Sequence, residues 1–503
     1  MLESLISVIG IVLQPINLLI MLLGTFTGIF VGAMPGLSSI MGLSLMLPLT
    51  LRFDGSTGIL MLLGVFCGAI YGGSITAILV KTPGTANSAA TVLDGYPLTQ
   101  RGEAARALGV STFASTFGGL FSAVMLLWTA PLLSKVALSF TSPEYFSLAI
   151  FGLSMVTSLS SKDVTKGLIS AVIGLMLATA GMDALTGAKR FTFGSTYLLA
   201  GIAMVPVLIG LYAFSQGLFN AETISQTAGH SKTRLRRTFP TFKDIRTAFP
   251  TMLRSSVIGT LVGAIPGTGG DIASWLAYNE ARRWSKNPEG FGAGSIEGVA
   301  APEAANNAVS GGALIPLLTL GIPGDAGTAV MLGALMMQGI VPGPLLFTSE
   351  QTKVYTIIVG LFIANLFMGL LGFGGIRLFA KIGDIHNKYL TPIVFVFCIV
   401  GTFALNNSVN DIFLMMIFGL IAFFLIKLDF PTPPIILGLI LGNTLEKNLQ
   451  RALLVSKGDF SIFFTRPISL ALLLTAFGSV FLPVILRKIN AARETRQAEK
   501  NAR

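Results

Sequence analysis

The stretch Ala301-Pro302-Glu303-Ala304-Ala305-Asn306-Asn307-Ala308-Val309-Ser310 places one carboxyl group and two amides in apolar surroundings. On a helix, Glu303, Asn306, Asn307 and Ser310 fall at i, i+3, i+4 and i+7, and so share one face. A carboxyl group is costly to hold in such a segment, so its presence points to a task, either ligating a cation or carrying a proton. A local reading competes with this. Pro302 and Glu303 also suit the first turn of a helix, where proline sacrifices no hydrogen bond and an acid meets the positive end of the dipole.

A second constellation is built from glycine and proline. Gly28-x-x-x-Gly32-Ala33-Met34-Pro35-Gly36 recurs as Gly259-x-x-x-Gly263-Ala264-Ile265-Pro266-Gly267, a constant offset of 231 residues. Each copy is followed by a matched piece. The first is Gly72-Gly73 then Pro83-Gly84, and the second is Gly311-Gly312 then Pro323-Gly324, with Gly-to-Pro spacings of 10 and 11 residues. Proline cannot continue a helix and glycine permits a positive φ, so each pair predicts a break. Inside a membrane a break survives only where its freed backbone groups are buried in protein or line a wet cavity. Ser38 or Ser39 can cap a new helix after the first break. Pro266-Gly267-Thr268-Gly269-Gly270-Asp271 offers the same geometry in the second half. Helix N-termini carry free N–H groups and partial positive charge, which suits an anion. Two such breaks facing each other form one carboxylate site from Pro35, Gly36, Ser38 and Ser39 with Pro266, Gly267, Thr268 and Gly269. The competing reading is proline kinks with GxxxG helix packing, and the pairing of the breaks argues for the site.

The segment from Tyr71 to Ser88 supplies the polar lining. Gly72, Gly73, Ser74, Thr82, Pro83, Gly84, Thr85 and Asn87 set hydroxyls and an amide around two glycine breaks. Lys81 either attracts an anion or snorkels to the interface. Its counterpart, from Gly311 through Pro323 and Gly324 to Thr328, lacks a lysine but carries Asp325. Glu303, Asn306, Asn307 and Asp325 are the candidates for coupling-ion binding or scaffolding, with Na+ the one metal ion considered. Asp94, Asp183, Asp325 and Asn443 otherwise read mostly as turn residues.

These groups need a scaffold that crosses lipid. The 503 residues are 52% hydrophobic and 11% charged, with mean hydropathy +0.77. A soluble domain is about 25% charged. Residues 59–80, 107–131 and 468–486 carry no charge, and about 20 such residues span a bilayer. The apolar runs are continuous rather than alternating, which excludes a barrel. The fold class is therefore an all-α polytopic membrane protein of about 10–12 transmembrane helices plus broken or re-entrant pieces, in two inverted structural repeats. Residues 1–226 form the first repeat, 227–247 a basic cytoplasmic linker, and 248–503 the second repeat with a basic cytoplasmic tail. Residues 278–298 read as a loop insertion, because Gly36 to Gly72 spans 36 residues and Gly267 to Gly311 spans 44.

The net charge of +11 gathers in the linker and the tail, each flanking apolar spans. That is the positive-inside pattern, and no nucleic-acid partner is expected. Cys67 and Cys398 read as buried small hydrophobes. His230 and His386 lack metal or catalytic spacing. The chain has no Walker A, GxSxG or HExxH sequence, so no enzyme and no cofactor is expected.

These segments together resemble the large membrane subunit of the tripartite tricarboxylate transporters, the TctA family. The resemblance is carried by Gly32-Ala33-Met34-Pro35-Gly36-Leu37, Tyr71-Gly72-Gly73-Ser74 with Thr82-Pro83-Gly84, and Asp94-Gly95-Tyr96-Pro97. The second half adds Gly263-Ala264-Ile265-Pro266-Gly267, Gly298-Val299-Ala300-Ala301-Pro302-Glu303-Ala304-Ala305-Asn306-Asn307-Ala308 and Leu320-Gly321-Ile322-Pro323-Gly324. The resemblance implies a multi-pass protein of the bacterial inner membrane that imports di- or tricarboxylates. It implies a periplasmic substrate-binding protein and a small four-span membrane subunit as partners, and an Na+ or H+ gradient as the drive. Lys81 stands where citrate-type members are expected to carry a neutral polar residue, which leaves the cargo as a di- or tricarboxylate. The alternative reading is a carboxylate channel or uncoupled pore, since broken helices also build pores. A lipid-directed enzyme and a scaffold are further rivals.

Overall fold

Lipid offers backbone groups no hydrogen-bond partner, so a chain this apolar must close its own bonds within helices. The computed structural model describes residues 2–34, 36–160, 163–183, 186–222, 240–379 and 387–480. Pro35, His230, His386, most of the basic linker and the basic tail lie outside the described residues. The helices in chain order are α1 (Leu2–Val12), α2 (Pro15–Gly32), α3 (Ser39–Thr50), α4 (Gly55–Val80), α5 (Val92–Gln100), α6 (Ala104–Ala137), α7 (Ser142–Ser160), α8 (Val164–Ala178), α9 (Met204–Leu208) and α10 (Ser215–Glu222). The second half continues with α11 (Phe242–Gly263), α12 (Gly270–Trp284), α13 (Ile296–Leu320), α14 (Ala326–Met337), α15 (Leu346–Ser349), α16 (Gln351–Phe379), α17 (Asn387–Asn406), α18 (Val409–Lys427), α19 (Pro433–Val455) and α20 (Ile462–Thr465). A π-helical turn, Ile209–Phe214, joins α9 to α10. Among the described residues the strands are β1 (Gly181–Met182) and β2 (Lys189–Arg190), one antiparallel hairpin.

Six helical stretches among the described residues are long and apolar enough to cross a membrane: α2, α4, α6, Met204–Glu222, the bulk of α16, and α18. Five shorter apolar helices accompany them, including α3, α8 and α14. Contacts divide the chain into one unit of Met1–Leu138 with Ala203–Phe424 and another of Ser139–Ile202 with Leu425–Arg503. Neither unit coincides with the halves 1–226 and 248–503, and both draw on each half. The expected linker also ends earlier than 247, because α11 is already helical from Phe242 behind a Thr241–Asp244 capping box.

The second unit has a polar fastening of its own. Arg190 reaches Glu446 (2.5 Å) and Asp183 (3.3 Å), and Arg466 reaches Glu144 (2.5 Å). Asp183 also holds its hairpin turn by accepting from the Thr186 N–H (2.7 Å). Asn443 lies inside α19 rather than in a turn.

The repeat lies in the first unit, and its register is set by glycines over carbonyls. A Cβ on Gly28 would strike the Val65 carbonyl, and one on Gly32 the Ala69 carbonyl. In the second copy Gly259 meets the Ala305 carbonyl and Gly263 the Val309 carbonyl. Each pair advances in step, so α2 runs parallel to α4 and α11 parallel to α13. Absent side chains let the backbones close to where Cα–H groups and dispersion hold them.

The same contacts revise the alignment of the second piece. Gly72 packs on the Ile29 carbonyl and Gly312 on the Thr260 carbonyl. The true offset here is therefore 240 residues, pairing Gly72 with Gly312, Pro83 with Pro323 and Gly84 with Gly324. Gly72 and Gly73 do not break α4, and Gly311 and Gly312 do not break α13. Both helices run straight through them, and their role is close packing. The helices end instead at Lys81 (φ 61°) and Gly321 (φ 72°), two left-handed caps at equivalent positions.

Inversion follows from the side chains between helices. The Tyr71 and Thr112 hydroxyls are 2.7 Å apart, and Ser111 donates to Ser74 (3.0 Å), so α4 and α6 are antiparallel. Ser115 meets Glu303, Gly118 meets Ala304 and Ser122 meets Gly311, so α6 and α13 are parallel. The equivalent helices α4 and α13 thus run in opposite directions, as inverted repeats require.

Lys81 holds a conformation that costs an L-residue about 1–2 kcal/mol. Its equivalent in the other repeat is glycine. Lys81→Gly is expected to raise stability by about 0.5–1 kcal/mol after glycine's greater chain entropy is subtracted. Gly321→Lys is expected to lower it by about 1–2 kcal/mol, with the new Cβ 3.0 Å from the Pro342 carbonyl. Melting temperatures of the two purified variants check the signs.

Candidate functional site

Both predicted breaks form. α2 ends at Gly32, Gly36 turns at φ 86°, and α3 starts after Ser38. α11 ends at Gly263, Gly267 turns at φ 83°, and α12 starts after Gly269. The two breaks differ in how their backbone groups are satisfied. Ser38 caps its helix by accepting from the Met41 N–H (3.1 Å). Gly269 has no side chain to do so. The Gly267 N–H donates to the Gly324 carbonyl (2.8 Å), and Thr268 Oγ1 donates to the Ile265 carbonyl (2.7 Å) and to that of Val262. The Thr268 hydroxyl and the Gly267 amide therefore serve the break itself. At the first break, the Gly36 carbonyl accepts from Asn220 of α10 (3.2 Å).

The segments after Pro83-Gly84 and Pro323-Gly324 cross over to the opposite repeat. Each begins with a polar pair at equivalent positions: Thr85 and Ser88 hydroxyls 3.1 Å apart in one, the Asp325–Thr328 capping box in the other. Gly84 seats on the Gly32 carbonyl and Gly324 on the Gly263 carbonyl. A Cβ on Gly327 would meet the Phe66 ring (2.7 Å). The first arm reaches further. Asn87 Nδ2 and Asn306 Oδ1 both lie close against Gly270 at the start of α12. Thr91 Oγ1 donates to Glu303 Oε1 (2.5 Å). Asp94 accepts from the N–H groups of Gly292 (2.9 Å), Gly294 (2.8 Å) and Ser295 (2.7 Å) and from the Tyr278 hydroxyl (2.8 Å).

Glu303 sits mid-helix in α13, fully buried. It is not in the first turn, because the helix starts at Ile296 behind the Ser295 cap. Its carboxyl group is held by hydroxyls, Thr91 on one oxygen and Ser115 (2.9 Å) on the other. Asn307 donates to the Glu303 carbonyl (3.1 Å), and Asn306 to the Ile70 carbonyl (3.5 Å). The buried Oδ1 atoms of Asn306, Asn307 and Asn365 have no hydrogen-bond partner. Such acceptors suit a cation, a water or a donating ligand. Among the described residues no group of three or more His, Cys, Asp or Glu side chains could hold a metal ion.

The expected site residues thus fall into two groups. Asn87, Gly269, Asn306 and, through Thr91, Glu303 converge where the first arm meets α12 and α13. Ser74 and Gly73 line α4, with Ser39 buried at the start of α3. Lys81 and Thr82 are exposed at the end of α4, where the Lys81 ammonium lies 5.8 Å from the Tyr96 ring centre. Gly311 packs against Ser122 of α6. The 278–298 stretch is a loop insertion only in part, since α12 continues to Trp284 before the loop that encloses Asp94. Asp94 itself lies inside α5 and not in a turn. Thr91, Ser115, Tyr278 and Asn365 carried no sequence signal, being single polar residues whose partners lie far along the chain.

The architecture is that of a polytopic helical membrane protein with inverted repeats and paired helix breaks. The family profile described as "Tripartite tricarboxylate transporter TctA family" matches residues 18–437, and the chain belongs to that family. It is thus a multi-pass membrane component of a tripartite transport system. A protein of Agrobacterium vitis described as "Uncharacterized 52.8 kDa protein in TAR-I ttuC' 3'region" is 37% identical over 482 residues, covering 96% of both chains. A second from the same organism, "Uncharacterized protein in TAR-II ttuC' 3'region", is 39% identical over 238 residues, 47% of this chain and 97% of its own length. No solved structure matches the chain.

Asp94 is the fastening that generates a test here. Hydrogen bonds to a charged group contribute about 1.5–3 kcal/mol, so Tyr278→Phe is expected to lower stability by about that much. Asp94→Ala strands four donors and is expected to cost about 3 kcal/mol or more. Adding Tyr278→Phe to Asp94→Ala should cost little further, which a double-mutant unfolding cycle measures.

Proposed function

We propose that this protein is a secondary importer of di- or tricarboxylates, driven by an ion gradient, and not an enzyme. The observation that carries the reading is the pair of Pro-Gly breaks at equivalent positions of two inverted repeats. Uncapped N–H groups at a helix start attract carboxylates without burying a full positive charge. The arm residue Asn87 and the α12 start at Gly269 and Gly270 supply the donors on one side. Gly36 and Ser39 lie at the other break, and Ser74 of α4 meets Ser111 of α6. Glu303, Asn306 and Asn307 offer acceptors for the coupling ion, Na+ or H+, with Asp325 at the matching arm. A periplasmic substrate-binding protein would deliver the cargo, and a small four-span membrane subunit would complete the assembly in the bacterial inner membrane.

Uptake of radiolabelled di- and tricarboxylates by proteoliposomes tests this, with the small subunit and binding protein added or withheld. Uptake is expected to need the binding protein and to follow a sodium or a pH gradient. Gly84→Leu and Glu303→Gln, and likewise Pro35→Ala, are expected to reduce it below about a tenth while the protein still inserts. Normal uptake in all three variants would overturn the site.

A further inference from the structure

Where α11 and α12 run side by side they leave a cleft of about 50 Å³, lined by Thr251, Arg254, Ser255, Ala277, Glu280 and Trp284 among others. An aromatic ring holds its arginine. The Arg254 guanidinium lies over the Trp284 ring, 5.7 Å from its centre. The ring is itself fixed, since its N–H donates to Glu280 Oε2 (3.0 Å), and Glu280 Oε1 lies 3.7 Å from Arg283. A guanidinium over a ring face keeps its N–H edge for an oxyanion. Among the described residues Arg254 forms no ion pair. The nearby carboxylates are engaged elsewhere: Glu280 as above, and Glu297 by the hydroxyls of Thr251 (2.8 Å) and Ser285 (2.5 Å).

The cleft lies where the exposed surface changes character. Towards the break, Val257 and Leu261 of α11 and Trp275 and Leu276 of α12 are exposed and apolar. Away from it, Arg282, Arg283 and Lys286 are exposed, and the two arginines offset the negative end of the α12 dipole. In a chain that crosses lipid, such a change from apolar to basic, with a tryptophan and a long cation at the border, marks the bilayer interface on the cytoplasmic side. The leaflet on that side carries the anionic lipids. One water needs about 10–15 Å³ of such space, so a phosphate group fits the cleft. The chains of a lipid that carries it have the exposed apolar strip to lie along. We propose that this cleft binds the phosphate of an anionic phospholipid, recognised by Arg254 on its Trp284 platform.

Tryptophan fluorescence tests this directly, because the chain has three tryptophans. Trp128 and Trp275 are exposed, and Trp128→Phe with Trp275→Phe leaves Trp284 as the reporter. The full-length double variant is reconstituted in phosphatidylcholine vesicles with rising fractions of lipid brominated on its chains, which quenches tryptophan on contact. Brominated phosphatidylglycerol is expected to half-quench Trp284 at about a fifth of the mole fraction that brominated phosphatidylcholine needs, one basic group near the surface contributing about that factor. Adding Arg254→Gln is expected to bring the two lipids level, and Arg254→Lys to restore only part of the preference. Equal quenching by both lipids before Arg254 is altered overturns the site. Brominated phosphatidylethanolamine quenching as strongly as phosphatidylglycerol overturns the anionic selectivity. A preference that survives Arg254→Gln overturns the assignment to Arg254. The same preference at Trp128, read in the variant that keeps it alone, overturns a localised site in favour of general attraction to the surface.

Discussion

A helix broken within an apolar protein leaves backbone N–H and C=O groups that no solvent can reach, and their closure governs this architecture. At the second break the Gly267 N–H is closed by the Gly324 carbonyl and the helix carbonyls by Thr268. Gly324 is in place only because it seats on Gly263, and Gly263 only because α11 lies flush on α13. The glycine spacing, the proline breaks and the left-handed caps are one mechanical system. Each element supplies what another lacks.

The system explains why the polar residues sit where they do. The arms that follow the left-handed caps are the parts that leave their own repeat, and the first arm carries Asn87, Thr91 and Asp94 within eight residues. All three meet groups of the second repeat: Gly270, Glu303, and the loop before α13. A buried carboxyl group without a cation beside it must find donors, and hydroxyls from α6 and the arm provide them. The two repeats share a frame but not a lining, since Phe66 stands where its counterpart is Asn306.

Much of this was legible in the residues. Apolar continuity gave the helices, because backbone bonds in lipid leave no other solution. The 231-residue recurrence located both breaks, since proline and glycine act locally. The second piece was misread by one residue, because Gly72-Gly73 and Gly311-Gly312 look alike as pairs, and only the facing carbonyls show that Gly72 answers to Gly312. The depth of Glu303 was legible as a choice between mid-helix and first turn; Ser295, the cap of α13, decided it, lying seven residues ahead of Pro302. Asp94 was undervalued as a turn residue, because its partners lie some 200 residues downstream and nothing local announces them. Polar residues whose roles depend on tertiary partners carry no periodicity to read.

The bonds between Asp94 and its loop span 198 to 201 residues of chain. Ribosomes add about 5–20 residues per second, so roughly 10–40 s separate the synthesis of Asp94 from that of its partners. Throughout that interval the first arm is in place with a carboxylate, a threonine and an asparagine that have nowhere to bind. The first repeat therefore enters the membrane as an unfinished half whose most polar segment must stay at the aqueous boundary or be sheltered. Closure of this fastening waits for the arrival of α12 and α13.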